Sequence, residues 1–141
     1  GSRERDGQAE DWQGRFQQAG EVLGGQVVLE MLTSLDIGKL AGLIEGEGHI
    51  CFYRGPRVQI QMTDRDIIEW IAKTLGVNCN GPYADKRESI RKPFWSVTLA
   101  GSKAAGLLMT VWSLLGTRRK KQAEQTLAKW RQQKTRLAHA A

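Results

Sequence analysis

No run of about 18 apolar residues occurs in the chain, so the sequence holds no candidate membrane-spanning helix. Cysteine is scarce. Cys51 and Cys79 are the only two, both in stretches of alternating apolar residues with no C-x-x-C spacing. That pattern argues against a disulfide framework and against zinc, and reads as reduced thiols in strands. The two histidines, His49 and His139, are not spaced as a metal-ligand pair. No secretory leader is visible, since the first residues are Gly-Ser followed by charged side chains. The expected setting is intracellular: cytoplasm or nucleoid, an organelle matrix or a phage-infected cell, with no secretion and no membrane partner. Acidic residues are also missing from one half. Residues 85–136 hold thirteen Lys/Arg against three Asp/Glu, whereas residues 1–50 hold four against nine. The net charge of +6 hides this asymmetry. A basic half of such strength points to a polyanion, because neutralising phosphates supplies much of nucleic-acid affinity.

The 141 residues suit one domain with a modest core. Residues 1–34 read as an N-terminal extension. Its first seven residues are polar and expected to be disordered, and helical spacing from Gln8 to Leu35 is interrupted at Gly24-Gly25. Residues 35–141 read as the domain. A helix is expected over 35–46, with Ser34 or Asp36 as its cap. Two short apolar-alternating runs around Gly55-Pro56 predict a β-hairpin, with Val58, Ile60 and Met62 on one face and Arg57, Gln59 and Gln61 on the other. Thr63 is placed as the cap of a second helix carrying Ile67, Ile68, Ile71 and Leu75, stopped at Gly76. Strands over 77–83 and 91–100 come next, then an apolar helix from Gly101-Ser102. A final basic helix opens at Arg118-Arg119-Lys120-Lys121 and ends near Arg136, anchored by Leu127 and Trp130.

The first expected helix is the most distinctive stretch: Leu40-Ala41-Gly42-Leu43-Ile44-Glu45-Gly46-Glu47-Gly48-His49-Ile50. Its small residues allow a second backbone to approach closely. Its two carboxylates lie at the C-terminal end, where the helix dipole disfavours anions unless a cation cancels them. This segment resembles the signature of the LAGLIDADG homing endonucleases, with Glu45 and Glu47 standing where the family name carries its aspartates. The likeness extends over roughly residues 35–130, and the signature occurs once. It implies an α+β fold of αββαββα order, whose four-stranded antiparallel sheet forms a saddle over the DNA major groove. It also implies a homodimer joined through the signature helices, here Leu40, Ala41, Gly42, Leu43 and Ile44. The implied activity is that of a site-specific double-strand DNA endonuclease of homing type. Such an enzyme cuts a long, near-palindromic target by metal-dependent phosphodiester hydrolysis and leaves short 3′ overhangs.

By the same resemblance Glu47 is the catalytic acid and metal ligand, assisted by the Gly46 backbone, with Glu45 as a lesser partner. Gln61 stands where a polar active-site residue precedes the second helix, and Arg119 or Lys120 where a basic residue lies near the scissile phosphates. Hard carboxylate oxygens suit Mg²⁺, with Mn²⁺ or Ca²⁺ able to substitute for binding. Gln61 would orient the attacking water, and the cation would offset charge developing on the phosphate. Arg57 and Gln59 have the donor and acceptor patterns that read guanine and adenine edges. Tyr53, Arg54, His49 and Cys51 lie alongside on the first strand, and Ser96 and Thr98 on the fourth. Lys86, Arg87, Arg91, Lys92, Arg118 and Lys121 read as phosphate contacts, which position without specifying. The alternative is a protein on the same scaffold that binds DNA or RNA without cutting, such as an RNA maturase or a transcriptional regulator.

Overall fold

The computed structural model describes residues 31–84 and 92–140. The helical reading of the N-terminal extension up to residue 30 and the positions of Lys86, Arg87 and Arg91 fall outside those residues, and at residues 31–33 the chain is a turn and irregular backbone in place of the expected helix. Among the described residues the order is helix α1 (Ser34–Glu47), strands β1 (Gly48–Phe52) and β2 (Pro56–Met62), helix α2 (Arg65–Leu75), strands β3 (Asn80–Tyr83) and β4 (Phe94–Ala100), then helices α3 (Ser102–Val111) and α4 (Thr117–Ala140). A single 3₁₀ turn, Trp112–Leu114, links the last two helices. The α+β class and the αββαββα order expected from the sequence are the ones found. No helix among the described residues is long and apolar enough to cross a membrane.

Helix α1 begins with a reciprocal cap. Thr33 Oγ1 accepts from the Asp36 N–H at 3.1 Å, and the Asp36 carboxylate accepts from the Thr33 N–H at 3.2 Å. The cap is therefore Thr33, with Asp36 as the other half of the box, and not Ser34 or Asp36 as the sequence suggests. Helix α2 is preceded by Asp64 and not capped by Thr63; the Asp64 side chain makes no capping bond. Gly76 ends α2 in the left-handed conformation, φ +66°.

The sheet order is β1-β2-β4-β3, antiparallel throughout. Register fixes its two faces. Ile50, Val58 and Leu99 form one cross-strand row, and Ile60 pairs with Val97 in the next. These five side chains are buried with Leu40, Ile44, Ile68, Ile71, Leu107 and Leu108 from α1, α2 and α3. The opposite face carries the rows Cys51–Arg57–Ala100, His49–Gln59–Thr98 and Gln61–Ser96–Asn80. One face is core and the other is polar, as alternation in β2 predicts.

Two strands are shorter than expected. A register shift between Asn80 and Tyr83 confines β3 to four residues. β4 starts at Phe94, after Pro93, which has no N–H to give a ladder. Helix α4 runs to Ala140 and lies along β1. Its buried residues are Arg119, Ala123 and Thr126, while Leu127 and Trp130 are half-buried. Small side chains let the helix backbone sit close to the sheet edge.

Candidate active site

Glu47 is the last residue of α1, and the chain turns into β1 at the next position. The turn is tight. A Cβ on Gly48 would lie 2.6 Å from the Ile44 carbonyl oxygen, so only glycine fits there. The abrupt switch leaves Glu47 exposed at the corner between helix and sheet.

That corner opens onto a cleft of about 550 Å³ lined by Glu47, Gln61, Met62, Thr63, Asp64, Ala84, Lys92 and Phe94. Gln61 is exposed at the end of β2 and belongs to the polar face of the sheet. Phe94, packed on Tyr83 with ring centroids 5.5 Å apart, forms an aromatic wall on the same side. Glu47, Gln61 and Lys92, drawn from three distant stretches of chain, thus share one cavity. Asp64 joins them, a residue that is not among the site candidates read from the sequence. The signal for its role is positional: Asp64 lies three residues after Gln61, where β2 turns back over the end of α1.

The two signature acids are used differently. The Glu45 carboxylate points away from the cleft, and its Oε1 accepts from the Gly116 N–H at 2.7 Å. Arg119 donates through Nε to the Glu45 carbonyl oxygen at 3.4 Å and through Nη1 to Gln122 Oε1 at 3.0 Å. Among the described residues Glu45 Oε2 is buried without a hydrogen bond, and the nearest cation to it is Arg119 Nε at 3.9 Å. Glu45 thus lies outside the lining of the cleft that holds Glu47. Arg119, expected beside the scissile phosphates, has a side chain only 10% exposed and is engaged under the end of α1. Lys120 stacks its ammonium on Trp112, 4.8 Å from the ring centroid. Neither Arg119 nor Lys120 is among the described residues lining the cleft, while Arg118 and Lys121 are exposed.

The polar face presents the remaining expected contacts. His49, Tyr53 and Arg54 are exposed; Cys51, Arg57, Gln59 and Thr98 are half-buried. Arg54 sits in the hairpin turn with φ +59°, and Arg57 Nε is buried without a hydrogen-bond partner among the described residues. Ser96 differs from these in exposure. It lies on this face between Gln61 and Asn80 but is 4% exposed, because a short side chain on an inner strand is covered from both sides.

The expected dimer residues divide between two faces of α1. Leu40 and Ile44 are fully buried and Ala41 nearly so, all packed into this chain's own core. Leu43 is half-buried, and of the five only Gly42 is exposed. The helix period explains the split: positions 40, 41 and 44 form the inward stripe. The outward stripe is Gly38, Gly42 and Gly46, where an added Cβ would meet nothing within 4 Å. Leu35, 86% exposed, continues that stripe toward the start of the helix.

Whether this donor set suits a divalent ion is decided by its chemistry. Glu47 and Asp64 supply two carboxylates and Gln61 an amide oxygen, all hard donors in a water-accessible cleft. Among the described residues no three His, Cys, Asp or Glu side chains gather as a metal-holding group. One or two carboxylates with open positions fit Mg²⁺, which keeps several waters and binds phosphate oxygens.

No family model and no curated protein matches this chain. Among solved structures it is similar to the homing endonuclease I-CvuI, crystallised with the I-CreI target and 2 mM Mg, with the DNA not cleaved. The TM-score is 0.44 and the identity 16%, over 64% of this chain and 62% of that one.

Proposed function

We propose that this chain is a homodimeric, Mg²⁺-dependent, site-specific DNA endonuclease of homing type. It would cut a long, near-palindromic duplex target and leave short 3′ overhangs. The carrying observation is the convergence of Glu47, Gln61, Asp64 and Lys92 on one cleft at the margin of a polar, cation-bearing sheet face. Acid, amide and cation are the three group types that phosphodiester hydrolysis asks of a protein, and the adjoining face offers the side chains that read base edges.

In this reading Glu47 holds the ion, with Asp64 a second carboxylate in the same cleft. A bound Mg²⁺ supplies Lewis acidity toward the phosphoryl oxygens and lowers the pKa of water. Gln61 orients the attacking water through its amide. Lys92 places a positive charge in the cleft, and the exposed Arg118 and Lys121 bind flanking phosphates. Arg57, Gln59, His49 and Thr98 contact bases from adjacent positions of three paired strands. Two copies pair along Gly38, Gly42 and Gly46, where the absence of side chains lets helix axes come close. Each Glu47 then lies at the end of a paired helix and serves one strand, and the two-fold axis makes the target near-palindromic.

The test is selection of a target from a randomised duplex library, then cleavage with Mg²⁺ by the wild type and Glu47→Gln. The wild type is expected to cut both strands. Glu47→Gln should bind with unchanged affinity and cut at least about 100-fold more slowly. A wild type that binds a defined duplex and leaves it intact with Mg²⁺ and Mn²⁺ would defeat the reading. A monomeric mass at micromolar concentration, both free and on DNA, would defeat the dimer.

One observation favours a second reading, a binder of DNA or RNA that does not cut. Glu45 is committed to Gly116 and Arg119, so the acids of the signature do not act as a pair within one chain. The same assay separates the readings, with duplex RNA as the competing ligand.

A further inference from the structure

Helix α1 ends in a way that ought to be unfavourable. Its last turn holds two carboxylates and no basic residue, at the negative pole of the helix dipole. Helix α4 has the converse difficulty, since its first turn carries three cations and no acid at the positive pole. The structure resolves both together. Arg119, from the first turn of α4, donates to the Glu45 carbonyl, one of the orphan acceptors at the end of α1. Glu45, from the last turn of α1, accepts from the Gly116 N–H just ahead of α4. Each helix end is capped by a side chain from the other, across 71 and 74 residues of sequence.

The contact is enclosed on its Arg119 side and open on its Glu45 side, where the side chain is 42% exposed. Arg119 is 9% exposed in a helix whose other basic residues are mainly exposed. A Cβ on Gly116 would meet Glu45 Oε1, so a larger residue at 116 would push the Glu45 carboxylate aside. Glu47 stands two residues beyond Glu45 on the same turn, at the mouth of the cleft.

We infer that Glu45, Gly116 and Arg119 form a reciprocal helix cap that positions Glu47. Glu45 and Arg119 are positioning residues that act as one unit and touch neither phosphate nor metal. The cap joins the acid-bearing end of α1 to the exposed cations Arg118 and Lys121, so the strand those cations hold is registered against Glu47. The inference rests on the endonuclease reading above for its effect on cleavage, and on geometry alone for the existence of the unit.

The test is a double-mutant cycle on the selected target, reading single-turnover cleavage and duplex affinity separately. Glu45→Ala and Arg119→Ala should each slow cleavage by at least about tenfold while affinity stays within about threefold, as a small misplacement of a catalytic group does. The double variant should be no more than about threefold slower than the slower single, since one unit is lost only once. Glu45→Gln keeps the acceptor for Gly116 and should recover most of the rate, whereas Gly116→Ala, with both charged partners intact, should behave like Glu45→Ala. Penalties that multiply in the double variant would place Arg119 at the phosphate on its own and overturn the inference. So would an unchanged rate in Glu45→Ala. Hydrogen exchange gives a readout independent of cleavage: the Gly116 amide should exchange at least about tenfold faster in both single variants. Unchanged exchange would overturn the cap. A wild type that cuts nothing defeats the endonuclease reading and leaves the exchange result to decide the cap.

Discussion

The two faces of α1 are made from one run of sequence and are built for different neighbours. The inward face, Leu40, Ala41 and Ile44, is packed against the sheet and α3, and full burial of a Leu or Ile side chain is worth roughly 1.5–3 kcal/mol. The outward face, Gly38, Gly42 and Gly46, carries no side chain at all. Glycine in a helix costs about 0.5–1 kcal/mol relative to alanine, so three on one face are a standing expense for the isolated chain. The inner face explains why the helix exists. The outer face is accounted for if something must come close to it, and a second copy is the partner proposed above. The lesson is that small residues in a helix are not equivalent: Ala41 fills the core, and Gly42, its neighbour, faces away from it.

Changes on the two faces should separate cleanly. Ile44→Ala carries the largest expected effect, a loss of about 2–5 kcal/mol in unfolding free energy by denaturant titration, because it empties a fully buried site. A loss under about 1 kcal/mol would mean that the inner face is not packed as described. Gly42→Leu comes next. It should weaken self-association by at least about tenfold in sedimentation equilibrium, or about 1.4 kcal/mol, while the monomer unfolds at an unchanged or higher temperature. Unaltered association would move the seam elsewhere. Thr33→Ala removes half of the capping box and should cost about 1 kcal/mol, visible as a melting temperature lowered by a few degrees. The smallest effect sharpens the comparison most. Gly42→Ala should stabilise the monomer by roughly 0.5–1 kcal/mol, because its added Cβ meets open space, yet lower cleavage if a partner backbone must approach there. Stabilisation without any loss of cleavage would show the outer face to be unoccupied.

Much of the fold is legible in the sequence because its elements announce themselves locally. Strict alternation in Val58, Ile60 and Met62, the stripe Ile67, Ile68, Ile71 and Leu75, and Gly76 as a stop each depend on neighbours a few residues away. Glu47 and Gln61 are legible as site candidates through the signature and the hairpin after it, and the structure brings them to one cleft with Lys92. Asp64 is not, because its membership depends on where the β2–α2 junction lies relative to the end of α1. Ser96 falls on the expected face but is covered; alternation gives the face of a strand residue and says nothing of how far flanking side chains overhang it. Arg119 reads from its basic cluster as a phosphate contact. Nothing local distinguishes it from Arg118 or Lys121, and only its position on the inward side of α4 commits it to Glu45.

The amino-acid sequence by itself determined the elements, their order, the two faces of the sheet and the acid that ends the signature helix. Those come from periodicity, capping chemistry and the glycines that stop or sharpen turns. Tertiary structure alone decided the division of labour between Glu45 and Glu47, which residues of α1 are core and which are open, and the entry of Asp64 and Lys92 into the cleft. Each of these depends on which distant backbone groups and side chains the fold brings beside the residue in question. Two carboxylates separated by one glycine look alike in sequence; one meets the Gly116 amide and the other meets the cleft.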